Sequence, residues 1–337
     1  AATAGLSLFM LRGFVLMHDC GHHSLFRSRR LNRLAGFLLG VLAGMPQQVW
    51  AENHRYHHVT NGNWAKYRGP LNVACVTDYL AMDARQRRRY RYTRDILMAP
   101  VAGCLYFLVN PRVTWLRATW QLLRRRLARG AGDGSPPGVT MPHYRYMTWN
   151  NLALFSAWVA MAWAIDPLLF FVCYVISGSL AGGYGIVLFT VQHNFEHAYA
   201  SADEGWCRDE AALRGTSFLI LPRWLNWITA DAAYHHVHHL CAGVPNYRLD
   251  MTVVLTNKVA LRQGELAALP TLKYVGIQAT GTNIVDLDAA RAAGVAVTNV
   301  PGYATEAVAE LVFALVLHFS HDVAGHDAAV KRGSWAA

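Results

Sequence analysis

The 337-residue sequence predicts a mainly α, integral membrane unit with a histidine-rich cap, followed by a partial α/β fragment. Three observations predict it. Hydrophobic residues make up 53% of the chain and charged residues only 15%, well under the roughly 25% of a soluble protein. Apolar runs end repeatedly in histidine clusters, and histidine at membrane depth is costly unless paired or ligated. Composition breaks near residue 250: ten of the 11 Trp, all six Cys and 13 of the 16 His precede it, with 25 basic against 14 acidic residues, whereas the rest has six against seven. The break divides the chain into domains at 1–250 and 251–337. So apolar a chain buries enough surface to fold, which excludes disorder.

Residues 1–17 read as the end of a membrane helix. The apolar run 6–17 begins so near Ala1 that the chain is expected to start inside a spanning segment, which needs about 20 apolar residues. His18, His22 and His23 follow, then Arg27, Arg29, Arg30 and Arg33. A second apolar run, 34–49, leads to His54, His57 and His58. An Arg-rich stretch (85–94) precedes a short apolar run, 96–109, and a basic amphipathic piece with Arg117, Arg124, Arg125 and Arg126. Residues 130–138 read as a loop. Residues 152–165 and 168–191 read as a membrane hairpin turned at Asp166-Pro167, followed at once by His193 and His197. His235, His236, His238 and His239 close this part of the chain.

Only 31 residues separate His22 from His54, whereas two crossings need about 40. Residues 34–49 are therefore expected to lie in the interface or re-enter, and so is the short run 96–109. With a hairpin that crosses twice, every histidine cluster and Arg run faces one compartment, which the positive-inside rule makes the cytosol.

On a helix, residues i, i+3 and i+4 share a face. His18 and His22, and His193 and His197, have i, i+4 spacing; His54, His57 and His58, and His235, His238 and His239, have i, i+3, i+4 spacing. Two or three imidazoles pointing one way on each helix suit a multinuclear metal site. Imidazole suits iron, copper, zinc and nickel, and eight or more imply two ions. His23, His143 and His236 lie off these faces, and Cys20 and Cys241 read as packing residues. The six cysteines form no C-x-x-C pair, and no signal peptide is visible. A metal transporter would need polar groups inside the hairpin, yet residues 152–191 carry only Asp166 as a charge.

The segments His18-Asp19-Cys20-Gly21-His22, His54-Arg55-Tyr56-His57-His58 and His235-His236-Val237-His238-His239 resemble the three histidine boxes of membrane-bound fatty acid desaturases. Val191-Gln192-His193-Asn194-Phe195-Glu196 resembles that family's additional histidine segment, and Val244-Pro245-Asn246-Tyr247-Arg248-Leu249 its acyl-lipid branch acting on oleoyl-type chains. The resemblance covers about residues 1–250. It implies a desaturase-type fold in which His18, His22, His54, His57, His58, His193, His235, His238 and His239 hold two non-haem iron ions. It further implies dioxygen as co-substrate and an acyl lipid or acyl thioester in which a cis double bond is formed. Electrons would come from a ferredoxin or b-type cytochrome, membrane lipids would surround the protein, and no nucleic acid is involved. Asp19, Glu196 and Asp231 are expected to accept hydrogen bonds from ligand ring N–H groups, with His197 and His236 nearby as weaker candidates. The chain departs from the family at its start, which lacks a first membrane segment, and at His197, where an acidic residue is expected. A hydroxylase or ketolase on the same scaffold is the alternative reading.

After residue 250, strands at 253–256, 272–279 and 295–299 alternate with helices at 285–293 and 305–319, which predicts a parallel sheet. Residues 255–258, 279–286 and 297–303 resemble D-isomer-specific 2-hydroxyacid dehydrogenases of the glycerate dehydrogenase or hydroxypyruvate reductase type, implying a flavodoxin-like fragment. In that family the Thr280-Gly281 turn would offer backbone donors to a substrate carboxylate. No G-x-G-x-x-G stands between a strand and a helix, so no NAD site is expected and the fragment is expected to be inactive. The same absence argues against a membrane-anchored dehydrogenase. The juxtaposition reads as a chimera of two gene fragments, non-functional in the alternative reading.

Overall fold

The computed structural model describes residues 2–68, 73–127, 138–255, 260–302 and 305–334. Most of the loop expected at 130–138, together with Thr256, Asn257, Lys258 and Tyr303, lies outside these residues. The chain divides into two compact units, residues 1–250 and 251–337.

The first unit is helical. Helix α1 (Ala2–Gly21) carries His18 on its last turn. Ser28 starts α2 (Arg29–Ala43), its hydroxyl accepting from the Leu31 N–H. Gly44, with a φ of 69°, ends it by donating to the Gly40 and Val41 carbonyls. Helix α3 (Gln47–Thr60) then leaves at 99° to α2, so the bend falls within residues 34–49 and that run is no straight span. Helices α4 (Val76–Ala81) and α5 (Ala84–Tyr92) follow, the latter opened by an Asp83–Gln86 capping box.

The next stretch differs from expectation. Residues 96–109 and the basic piece after them form one helical segment, Ile96–Arg125, long and apolar enough to cross a membrane. It comprises a 3₁₀ turn, α6 (Ala99–Gly103), a π-helical stretch (Cys104–Val109) and all but the last two residues of α7 (Asn110–Leu127). Pro111 has no N–H to offer the Phe107 carbonyl four residues back. The buried Arg112 takes that carbonyl instead (2.9 Å), and it also donates to the Gly44 carbonyl and to Asn151 Oδ1 (3.0 Å). The segment thus continues through Pro111 and Arg112, past residue 109 where the apolar run was expected to end.

Helices α8 (Met141–Ala164) and α9 (Pro167–His193) form the expected hairpin, with Asp166 capping α9 and Pro167 in its first turn. Only α9 joins Ile96–Arg125 among the single described helices that meet the length and composition test for a span. The first half of α8 carries His143, Arg145, Asn150 and Asn151, which lower its hydropathy. Gly103 of α6 packs on Gly182 and Gly183 of α9 so closely that a Cβ at Gly103 would lie 2.4 Å from their backbone. Short helices α10 (Arg208–Arg214), α11 (Arg223–Thr229) and α12 (His235–Leu240) complete the unit.

The second unit runs β1 (Thr252–Leu255), α13 (Gln263–Ala267), β2 (Tyr274–Ile277), α14 (Leu287–Ala292), β3 (Ala296–Thr298), α15 (Thr305–His321) and α16 (Val323–Lys331). The strands pair in parallel in the order β1-β2-β3, with Thr252 opposite Tyr274 and Tyr274 opposite Ala296. Leu266, Val275, Ile277 and Ala290 fill its core. Asn299 donates to the Thr280 carbonyl, fixing the turn after β2.

Candidate metal centre

Four helix segments bring nine histidines together. Helix α1 supplies His18, with His22 just past its end; α3 supplies His54, His57 and His58; α9 ends on His193; α12 carries His235, His238 and His239. They fall into two groups, His18, His22, His54, His58 and His238, and His57, His193, His235 and His239. Within each group, one ring nitrogen per residue lies within 4.8 Å of every other. Helices α3 and α12 each serve both groups, and the His58 and His239 rings stack across the boundary at 4.2 Å. The i, i+4 face of α3 gives His54 and His58 to one group, while His57 turns to the other.

The spacing fits one ion per group. Ring nitrogens bound at about 2.1 Å and at right angles on one ion lie about 3.0 Å apart. The Nε2 atoms of His54 and His58 are 3.0 Å apart, those of His58 and His238 3.0 Å, and those of His193 and His235 2.8 Å. The buried Nε2 atoms of His22, His57 and His239 have no hydrogen-bond partner. Orphaned buried nitrogens are rare in native proteins, and a bound metal ion would account for these three. Burial first, and neighbouring imidazoles second, push the pKa values of His22, His235, His238 and His239 well below the ordinary histidine range. The rings are thus neutral, as ligation requires. An all-imidazole set suits iron, zinc, copper or nickel and disfavours magnesium and calcium.

Asp19, buried to 1% exposure, lies 3.0 Å from His18 Nδ1 and accepts the Asn246 N–H at 2.9 Å through its other oxygen. A ring N–H donated to Asp19 leaves His18 Nε2 free for a metal. Asn246 went unrecognised in the sequence as a site residue. It stands in the segment after the last histidine box, where nothing separates a buried asparagine from an ordinary loop residue.

Other candidates fall elsewhere. Helix α9 stops at His193, so the i, i+4 spacing to His197 is not carried by a helix. His197 turns out with a φ of 63°, and its side chain is 91% exposed, 3.7 Å from an equally exposed Glu196. This corrects the expectation that Glu196 and His197 support the ligands. His236 packs near Phe218 (6.0 Å between ring centres) and belongs to neither group. Asp231 occupies a left-handed turn after α11, where its charge acts on Arg12. His143 pairs with Glu52 at 2.6 Å, and Cys20 is buried in the packing.

An apolar cavity of about 510 Å³ opens beside both groups, with His18, His54, His57 and His235 in its wall. A second, of about 540 Å³, shares His57, Tyr67 and Phe189 with it and adds the polar Asn61, Arg68 and Asn194.

Residues 1–263 match the fatty acid desaturase family, and residues 239–332 match the catalytic domain of D-isomer specific 2-hydroxyacid dehydrogenases. A fatty acid desaturase of Bacillus subtilis is 36% identical over 257 residues, 74% of this chain and 66% of that protein. A temperature-sensitive sn-2 acyl-lipid omega-3 desaturase (ferredoxin) of Arabidopsis thaliana is 27% identical over 247 residues, 70% of this chain and 51% of its own length. In the second unit, a hydroxypyruvate reductase of Blautia hydrogenotrophica is 36% identical over 86 residues, 26% of this chain and 27% of that protein. This chain thus spans just under two thirds of the bacterial desaturase and about a quarter of the reductase. With histidine boxes, helices and match running together over most of its length, the chain belongs to the fatty acid desaturase family.

Proposed function

We propose that residues 1–250 form a membrane-embedded, di-iron acyl-chain desaturase whose metal groups face the cytosol. The observation that carries this reading is the pair of all-imidazole groups set in the wall of an apolar cavity. When bound, two iron ions would supply the reductive activation of dioxygen, with His18, His22, His54, His58 and His238 holding one and His57, His193, His235 and His239 the other. The chain supplies the rest. Asp19 orients His18, and burial keeps the rings of His22, His235, His238 and His239 neutral. Apolar side chains from α1, α9 and the π-helical stretch shield an acyl chain from water along the cavity. The saturated segment to be oxidised would lie at the histidine wall.

An acyl lipid is the favoured substrate, because the second cavity offers amide groups and aromatic rings beside the first. A ferredoxin or b-type cytochrome would supply electrons, a ferredoxin being named for the Arabidopsis relative. The second unit is proposed to be inactive as a dehydrogenase, since the sequence offers no nucleotide-binding glycine turn, and the chain is proposed to join two gene fragments near residue 250.

The test is expression of the 337-residue chain in a host with saturated membrane lipids, followed by mass analysis of its acyl chains. Loss of two hydrogens with a new cis double bond is the expected product. Gain of one oxygen would assign a hydroxylase, and unchanged lipids in cells holding iron-loaded protein would refute the reading. Binding of NADH would overturn the inactive assignment. A sequencing read across codons 245–260 of source DNA tests the junction, an intervening sequence there refuting a continuous gene.

A further inference from the structure

Two parallel stripes line the apolar cavity. On α1, Leu11, Phe14, Val15 and His18 share a face, and on α9 Gly185, Leu188, Phe189 and Gln192 do the same. Each stripe begins at the metal ligands and ends two helical turns away, about 10–12 Å along the axis, at Leu11 and Gly185. These two residues face each other: a Cβ built on Gly185 meets only Leu11 Cδ1, at 3.9 Å.

Gly185 differs from the other glycines of α9. Added Cβ atoms at Gly178, Gly182 and Gly183 would lie 2.7–3.1 Å from Leu108, Gly103 or Pro100, so close packing accounts for those glycines. Gly185 has neither a close neighbour nor a positive φ to require it. Glycine inside a helix is destabilising relative to alanine. Here the missing side chain leaves cavity volume. Two to three residues earlier, Gly182 and Gly183 pack on the Gly103 backbone, and none of the three lines the cavity.

We propose that Gly185, with Leu11 opposite, forms the floor of the cavity and sets how far an acyl chain reaches past the metal groups. The inference rests on the desaturase reading and names a chain-length determinant within it. Side chains added at residue 185 shorten the cavity, and trimming Leu11 deepens it.

The experiment takes the full chain, iron-loaded, as wild type, Gly185→Ala, Gly185→Leu, Leu11→Ala and the double variant Leu11→Ala/Gly185→Ala. Saturated acyl chains of graded length retained by each purified protein are counted by native mass spectrometry, beside iron per chain and product length. Gly185→Leu is expected to lower the ratio of long to short retained chains roughly tenfold or more. Leu11→Ala is expected to raise that ratio, and the double variant to return it toward wild type, with iron per chain unchanged throughout. An unaltered length profile in Gly185→Leu and Leu11→Ala proteins that keep their iron would overturn the proposal. Retention that follows length in a wild-type protein making no double bond would instead fail the desaturase reading and leave the floor standing. Should Gly185→Leu lose iron, the Leu11→Ala profile decides.

Discussion

Asp19→Ala isolates the orientation of a single ligand. The carboxylate is fully buried between two donors, the His18 ring N–H at 3.0 Å and the Asn246 backbone N–H at 2.9 Å. Truncation leaves the Asn246 N–H buried and unpaired, at about 1–3 kcal/mol of fold stability. It also removes the acceptor that fixes the His18 tautomer, a loss of about 10–100-fold in metal affinity, or about 1.4–2.8 kcal/mol. Asp19→Asn keeps one acceptor oxygen but sets an NH₂ group against the other donor, so its affinity should fall between the two. Asn246→Ala is the control, because the bond to Asp19 comes from its main chain and survives the substitution. The assay is iron titration against a competing chelator, with thermal melting followed by circular dichroism on the same samples. Wild-type iron affinity in folded Asp19→Ala protein would refute the orientation argument, and an equal loss in Asn246→Ala would relocate the effect to the amide side chain.

Three further outcomes follow from the packing. His58→Ala, which removes a ring nitrogen 3.0 Å from two others, should lower bound iron well below wild type in elemental analysis, whereas His197→Ala, on an exposed turn, should leave it unchanged. Gly103→Val would drive a branched side chain into the Gly182–Gly183 backbone and should cost about 1–3 kcal/mol, read as a lowered melting temperature. Leu266→Ala, in the core of the second unit, should cost about 2–5 kcal/mol in denaturant unfolding of that unit while iron per chain stays at the wild-type level.

The mainly helical character, the short parallel sheet and the Asp166-Pro167 turn were legible because each has a local signature: apolar runs, alternating βα units and a capped proline. The continuity of Ile96–Arg125 was not. Whether a helix passes Pro111 and Arg112 depends on what accepts and donates around them, and the Gly44 carbonyl and Asn151 come from distant parts of the chain. At the centre, spacing identifies which imidazoles share a helix face, and the two groups draw on those faces. Spacing cannot reveal that a helix ends. His193 and His197 look equivalent to His18 and His22 in the sequence, yet the last turn of α9 closes at Asn194 and throws His197 outward. Asn246 was hidden for a similar reason, its bond to Asp19 coming from a main-chain N–H that any residue other than proline would supply.

The partition of α3 between the groups has an energetic consequence. His57 and His58 are adjacent in sequence but serve different groups, so a rotation of α3 that improves one set of nitrogens displaces the other. Helix α12 is divided in the same way, with His238 turned from His235 and His239. Both helices are therefore held to one orientation by two sites at once. Without metal, that orientation buries several neutral rings whose nitrogens have no partner, each costing the free energy of an unmet hydrogen bond. Metal binding offsets this cost at both sites, which makes its free energy part of the folding free energy of the unit. Filling one group would organise α3 and α12 for the second, so occupancy of the two groups should be cooperative, and the short, otherwise marginal α12 should gain most of its order from the metals it would hold.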